Sequence, residues 1–373
     1  MSEPTANRFS APAIMRGMVK SIVAVIAGVV VVIALTVGLL QFSSLRQSVL
    51  SFALSAVNSG DTKISIGDID GSWPRHLHVT DVRIADVAGD WLTLDEADVV
   101  WSPLSLLRAH VEIETLDARG LNVLRAPVSA AEDDTSSGLS LELPVLPVSV
   151  RLNAINLRDI TVARALAKAG AAGELATLTL TGSAALDRST LALSLIAERS
   201  DDVTGHYKID TVFSPRNRHL TLDLAVQDGD AQHAGLVHAF GVSDLPVVKL
   251  SASASTDGEA VAGRMNLDGG NALAVALDGT GTWSRDLDLK LDAQASGRLI
   301  AEALKDSIDA SALTLATDVH WSGKDVLSVE NLELRAGALS LDGRAALASV
   351  SRAMPHPFTA SGTIKGADVL ADA

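Results

Sequence analysis

The sequence predicts a mainly β protein: an N-terminal transmembrane helix, then an elongated antiparallel β-meander curled into a half-pipe with a hydrophobic groove. Three observations point there. A charge-free run covers Ser21 to Leu45. From Lys63 onward, short stretches with apolar residues at every second position follow one another almost to the end. Aromatic residues are only 3% of the chain against 47% hydrophobic residues, so Leu, Val and Ala must furnish the apolar faces that Phe, Tyr and Trp usually supply.

The centre of the run, Ile22 to Leu40, has 19 residues, close to the roughly 20 that a helix needs to cross about 30 Å of hydrocarbon. Ile22, Val25, Val29, Val32, Leu35 and Leu39 carry this anchor. Arg8, Arg16 and Lys20 precede it and only Glu3 opposes them, so the positive-inside bias makes residues 1–20 a cytoplasmic tail and exports the rest. The alternative is a cleavable signal peptide ending at Ala53-Leu54-Ser55-Ala56. Signal h-regions hold about 7–15 apolar residues, however, and this run is longer. Leu45, Val49, Phe52 and Ala56 recur at helical spacing. Residues 21–57 are therefore an anchor continued by a short amphipathic helix, which lies on the membrane surface or caps the first strands.

Residues 58–128 read as one β module. Strands are expected over 63–69, 76–85 and 91–100, then at 111–116 and 121–125. Between the last two groups, Ser102 can cap a helical corner and Pro103 suits its first turn, where a missing N–H costs nothing. Residues 129–140 (SAAEDDTSSGLS) are small, polar and acidic, an exposed loop with nothing to bury. Residues 141–373 form the repetitive half-pipe. It opens with a strand over 145–157 and a helix-like stretch over 162–172, the only other one in the chain. Strands then follow at 175–185, 190–197, 206–213, 219–226, 247–254, 260–267, 272–277, 286–295, 312–321, 326–335, 338–347 and 358–364. Asp-Gly at 257–258, 268–269, 278–279 and 342–343 suits the positive φ of hairpin turns, so neighbours pair in sequence order.

Leu220, Leu222, Leu224 and Val226 alternate with Thr221, Asp223 and Ala225, and Leu287, Leu289 and Leu291 alternate with Asp288 and Lys290. Successive side chains on a strand point to opposite faces, so one face of a long sheet is apolar. A second sheet, helices or closure into a barrel would normally cover it. Helices are too few beyond residue 130. A sandwich or closed barrel remains an alternative, against which stand the number of strands and the scarcity of bulky residues to fill an interior. In the half-pipe the face takes an apolar ligand instead. Its lining is assigned to Leu178 and Leu180, Leu191 and Leu193, Leu222 and Leu224, Leu289 and Leu291, Leu313 and Leu315, and Leu339 and Leu341. Acyl chains should enter such a groove readily, because apolar area is worth about 25 cal/mol per Å².

Composition and motifs exclude several functions. With 45 acidic and 30 basic residues the net charge is -15, which repels a phosphate backbone, so nucleic acid is a poor partner. The absence of Cys removes thiol catalysis, Cys-type zinc sites and disulfides. His76 and His78 share a strand face, but no evident acidic or thiol cluster completes a metal site around them. His233 and His238 lie in a Gly- and Ala-rich loop, and Asp68 and Asp70 read as turn residues, without the ligand spacing of a calcium loop. Gly279-Thr280-Gly281 is followed by no helix, so it is a hairpin turn rather than a phosphate loop. No G-x-S-x-G elbow or H-E-x-x-H motif occurs. No enzyme, cofactor or metal is expected.

Gly71-Ser72-Trp73-Pro74, then HLHVTDVRIAD from His76, then GDWLTLDEADVVWSPLSLLRAHVEIETLDARGLNVLRAP from Gly89 to Pro127, together resemble the N-terminal region of the TamB family, within the broader AsmA-like group. The resemblance is ordered over residues 20 to 127, anchor included; from 128 to 373 only the strand pattern is shared. It implies a half-pipe of the β-taco kind that crosses the periplasm from the inner membrane, with a hydrophobic groove. It also implies an outer-membrane barrel partner of the TamA type, movement of phospholipid between the membranes and a role in outer-membrane protein assembly. Family members are several times longer and have a C-terminal domain that meets the outer-membrane partner. The chain is therefore expected to be a fragment or the product of a broken gene.

Two functions follow as expectations. One is a conduit that shields the acyl chains of membrane phospholipids. The other is an assembly factor that offers strand edges to client barrels by β-augmentation. A closed structural β-domain without cargo is the plainest alternative.

Overall fold

The computed structural model describes residues 63–365 except 73, 129–148, 168–170, 188, 231, 241–244, 246, 285, 305–311, 323–325, 338 and 348–357. The anchor, the amphipathic stretch 43–57, Trp73 and the acidic loop 129–140 lie outside the described residues. Among the described residues no helix is long and apolar enough to cross a membrane. Among the described residues the protein is mainly β, with 18 strands and little helix. It divides into two compact units, Met1–Ala131 with Ile155–Leu178, and Glu132–Ala154 with Thr179–Ala373.

In the first unit, β1 (Lys63–Ser65) and β2 (Asp68–Asp70) both pair antiparallel with β3 (His76–Asp86), which pairs with β4 (Gly89–Ser102), and β4 pairs with β5 (His110–Val123). Asp68 and Asp70 are thus strand residues, not turn residues, because the short strand they begin and end is held against Thr80 and His78. Period-two alternation sends Ile84, Trp101, Val111 and Ile113 inward, where each is at most 2% exposed. The apolar face of this unit is sealed.

The corner after β4 is a 3-10 helix, Pro103–Arg108, with Pro in its first turn and Ala109 left-handed behind it (φ 54). The expected Ser102 cap is not made: its hydroxyl donates instead to Glu114 Oε1 at 3.1 Å. The two strands expected at 111–116 and 121–125 are one strand, β5. Its apparent break is a kink in which Gly120 adopts φ 69. The β4–β5 ladder passes from Leu94–Leu121 to Glu96–Arg119, and a Cβ on Gly120 would lie 2.0 Å from the Asp95 carboxylate, so only glycine lets the strand continue.

Asp86 closes the other end of the β3–β4 hairpin. Its carboxylate accepts from the N–H groups of Ala88 (2.7 Å) and Val128 (2.6 Å) and from both terminal nitrogens of Arg125. The bonds from Arg125 hold this carboxyl well below the usual carboxylate range against the effect of its burial. The segment after β5 is thereby clamped to the hairpin.

β6 (Ser149–Ala163) and β7 (Glu174–Asp187) each contribute residues to both units. The helix expected over 162–172 reduces, among the described residues, to the end of β6 and a 3-10 turn, Arg164–Leu166.

The second unit holds β8 (Thr190–Arg199), β9 (Gly205–Ser214), β10 (His219–Asp228), β11 (Val248–Asp257), β12 (Ala260–Asp268), β13 (Ala274–Trp283), β14 (Leu287–Ser296), β15 (Ala312–Ser322), β16 (Val326–Ala336), β17 (Leu339–Leu347) and β18 (Phe358–Lys365). Each pairs antiparallel with the next, an uninterrupted meander. Two short helices, α1 (Leu236–Ala239) and α2 (Arg298–Leu304), occupy longer connections that sequence reasoning left without helix, and His238 stands on α1 rather than in a loop.

Asp257-Gly258 forms the β11–β12 turn with Gly258 at φ 61, whereas after Asp268 the left-handed residue is Gly270. Asp278-Gly279 and Asp342-Gly343 are not turns; they lie inside β13 and β17. Gly279-Thr280-Gly281 is likewise strand, paired with β12 and β14 through Gly263–Gly279–Leu291 and Val261–Gly281–Leu289. Hairpin propensity gives way here because both neighbouring ladders continue past these glycines, and a Cβ on Gly281 would lie 1.9 Å from the Asp288 carbonyl oxygen.

One end of these strands is closed by the connections. Leu245, Val248 and Ala272 are buried together, with Val237 of α1, Leu299 of α2, Leu250, Leu267 and Leu273 packed around them. Asp228, 0% exposed, fixes α1 by accepting from the Tyr207 hydroxyl (2.6 Å) and the N–H groups of Leu236 (2.9 Å) and Val237 (2.7 Å). Burial and that bond push the Tyr207 hydroxyl pKa well up. Asp228→Ala strands a part-buried hydroxyl and two part-buried N–H groups, and should cost about 2–4 kcal/mol in a urea titration; a loss below about 1 kcal/mol would contradict this role.

Candidate functional site

The candidate site is the apolar face of the meander in the second unit. Along β11, β12 and β14 every second residue is exposed and the others are half-buried, apart from buried Val248 at the start of β11. The exposed set includes Lys249, Ser251, Ser253, Arg264, Asp288 and Lys290; the half-buried set includes Leu250, Ala252, Met265, Leu289 and Leu291. Strand register turns this alternation into rows. Leu224 stands opposite Ala252, followed strand by strand by Met265, Leu277, Ala293, Leu315, Leu334 and Leu341. On its other side come Ile209 and Leu195. At ~4.8 Å per strand, that row is about 43 Å long.

A parallel row runs from Val226 through Leu250, Leu267, Val275, Ala295 and Leu313 to Ala336 and Leu339. A third carries Leu193, Thr211, Leu222, Ala254, Gly263, Gly279 and Leu291. Gly263 stands opposite Gly279, and Val261 opposite Gly281; a Cβ on Gly279 would lie 3.0 Å from Leu291 Cδ2, so the glycines let neighbouring atoms pack closely here.

Most of this face is covered only in part. Among the described residues the buried hydrophobics of the meander from β8 onward are Leu245, Val248, Ala272 and Ala336, the first three in the cluster at the strand ends. In the first unit, by contrast, Trp101 and Val111 are 0% exposed. Deeper depressions in the second unit lie elsewhere. One of about 520 Å³ is bounded largely by Thr280, Asp288, Lys290, Asp318, His320 and Glu330. Leu289 and Val319 also border it; it is open, and an Asp288–His320 pair at 2.5 Å spans it. The enclosed-pocket geometry of a small-molecule site is therefore not what distinguishes this unit.

Of the residues assigned to groove lining, Leu191, Leu193, Leu222, Leu224, Leu289, Leu291, Leu313, Leu315, Leu339 and Leu341 are all half-buried in the second unit. Leu222, Leu224, Leu291, Leu313, Leu315, Leu193, Leu339 and Leu341 stand in the three rows just traced. Leu191 pairs with Phe213 and Leu289 with Val319, one register position further out. Leu178 and Leu180 are half-buried on β7, but Leu178 belongs to the first unit and Leu180 to the second.

Sequence reasoning missed Asp98. Register places it opposite His78, and its Oδ1 receives His76 Nε2 and His78 Nδ1, both at 2.9 Å. A carboxylate only accepts, so these two ring nitrogens carry the protons. Asp98 supplies the acidic neighbour that the two histidines lacked on paper; opposing HLH to DVV across a hairpin would have found it. The Asp98 bond raises the His78 pKa. Burial pushes Asp98 up, but the bonds from His78 and His76 outweigh it and hold the carboxyl low. Among the described residues no group of three or more His, Asp or Glu is placed to hold a metal ion.

Compared with known protein families, residues 33–197 match the family model described as TamB, N-terminal domain. Neither curated proteins nor solved structures give a match. The matched stretch contains β1 to β7 and most of β8, and it ends before β9.

The His–Asp–His bridge predicts a pH dependence. A raised His78 pKa contributes stability that is complete below about 6.5 and is lost as pH rises through the folded value. A lowered Asp98 pKa contributes stability present above about 3.9 and lost as pH falls through its folded value. The melting-temperature gap between the native chain and Asp98→Asn should therefore be wider at about pH 5.5 than at about pH 8; an equal gap at both would remove the bridge from the account.

Proposed function

From the match of residues 33–197 to the family model described as TamB, N-terminal domain, we propose that this protein works in the cell envelope in outer-membrane biogenesis, offering an apolar sheet face to phospholipid acyl chains. In this reading the run Ile22 to Leu40 anchors it in the inner membrane as a single pass. Arg8, Arg16 and Lys20 keep the N-terminus cytoplasmic, and the β units stand in the periplasm.

One observation carries the proposal: the aligned rows of Leu, Val and Ala on β8–β17 are half-exposed, while the apolar face of the first unit is buried. A sheet face of that length in water is costly at about 25 cal/mol per Å². Acyl chains lying across the strands along the rows would remove it from water without any hydrogen bonds from the side chains. The meander would curl lengthwise into a half-pipe around them.

Chemistry of this kind needs no catalytic group. The driving force comes from outside the protein, because an apolar face binds lipid equally well for entry and exit. The family match also supports partnership with an outer-membrane barrel of the TamA type. Strand-edge pairing with client proteins receives less support at the N-terminal edge, where β1 and β2 have three residues each, the short edge strands that discourage added pairing.

Leu222→Asp, Leu289→Asp and Leu315→Asp combined put charge into three positions of the face that tolerate partial hydration. Phospholipid copurifying with the full chain, counted by native mass spectrometry, should fall by about tenfold or more with the β-sheet circular dichroism unchanged. Undiminished lipid in a folded triple variant would reject the acyl-chain role.

A further inference from the structure

The 3-10 corner between β4 and β5 carries the two most exposed large hydrophobic residues of the described chain, Leu104 at 75% and Leu107 at 83%. Side chains three apart on a 3-10 helix eclipse one another, so the two leucines project on one side of the Pro103–Arg108 turn. The turn is held rigid. Ser105 donates its hydroxyl to the Ser102 carbonyl at 2.6 Å and receives the N–H of Glu112 at 3.3 Å, while Ala109 N–H returns to the Leu106 carbonyl at 2.9 Å. Beneath it Trp101 is 0% exposed. These leucines are presented to solvent by a braced turn that follows a sealed core.

We infer that this corner is a bilayer contact: Leu104 and Leu107 enter the boundary between headgroups and acyl chains, with Arg108 at the phosphate level. The inference rests on the envelope location proposed above. Charge and area choose the occupant. Within the turn itself, Pro103–Arg108, Arg108 is the one charged residue, and the acidic Glu112 and Glu114 follow on β5, in a chain whose net charge is -15. Arg108 is exposed and, among the described residues, makes no ion pair, whereas nearby Arg75 is engaged by Glu114 at 3.1 Å. An exposed cation beside two leucines matches an anionic headgroup layer.

A protein partner needs far more surface. Stable protein interfaces bury about 800 Å² on each side, and a protruding six-residue turn with two apolar side chains cannot supply that alone. A bilayer accepts a convex wedge of any outline. Two leucines give a reversible touch rather than an anchor.

The chain has no Cys, so single cysteines report cleanly. The full chain is reconstituted in vesicles of phosphatidylethanolamine and phosphatidylglycerol with an environment-sensitive fluorophore at Leu104→Cys, Leu107→Cys, Ser253→Cys on the exposed face of β11, or Val30→Cys in the apolar run. The bilayer contact predicts that nitroxide-bearing lipid quenches the labels at 104 and 107 well beyond the label at 253. Adding Leu107→Ser to the label at 104 should reduce its bilayer-contacting population by roughly tenfold.

Quenching at 104 and 107 no greater than at 253 overturns the inference, whatever position 30 does. A blue-shifted emission without quenching would mean that protein covers the corner, and overturns it equally. The label at position 30 judges the anchor separately: its failure to be quenched would reject the anchored envelope reading even where 104 and 107 respond.

Discussion

Antiparallel pairing in strict register is the constraint on which the second unit depends. Because the side-chain period of a strand is two, and because each hairpin from β8 to β17 keeps its neighbour in phase, residues as distant in sequence as Leu195 and Leu341 fall into one line. A slip of one residue at any ladder would turn every following leucine onto the wet face. The β15–β16 and β16–β17 ladders each show an irregularity, between Ala316 and Asp318 and between Val329 and Leu332. Leu334 nevertheless stays opposite Leu315 on one side and Leu341 on the other, so the phase survives the bulges.

The two units use the same alternation for different ends. In the first, bulky residues such as Trp91, Trp101 and Ile113 close the face, and polar clamps at Asp86–Arg125 and Asp98 with His76 and His78 fix the hairpin edges. In the second, Ala, Leu, Val and Gly dominate the face. Small side chains cannot fill the space above a sheet, so partial exposure is what the composition of 3% aromatic residues delivers physically. The closed end around Leu245, Val248 and Ala272, held by buried Asp228, limits the face on one side.

Most strands were legible because their alternation is long and unbroken, as in Leu220 to Val226 and Leu287 to Leu291. What misled were glycines and short helices. Asp278-Gly279 and Asp342-Gly343 have the composition of hairpin turns but sit mid-strand, since pairing on both sides outweighs local turn preference. Gly120 looked like a break and is a kink. The seven residues of α2 are too few to establish a helical period against a background of alternation. The leucine face itself was readable, whereas Asp98 was not, because its meeting with two histidines exists only once the register is known.

The central claim is that lipid, not protein, occupies the leucine rows. A cryo-electron microscopy map of the full chain in a lipid bilayer tests it most directly. Lipid on the rows would appear as elongated, non-protein density running across the strands along the line from Leu224 to Leu341, above a face that no polypeptide covers. A polypeptide layer packed on that line along its whole length, with no continuous channel left between, would contradict it.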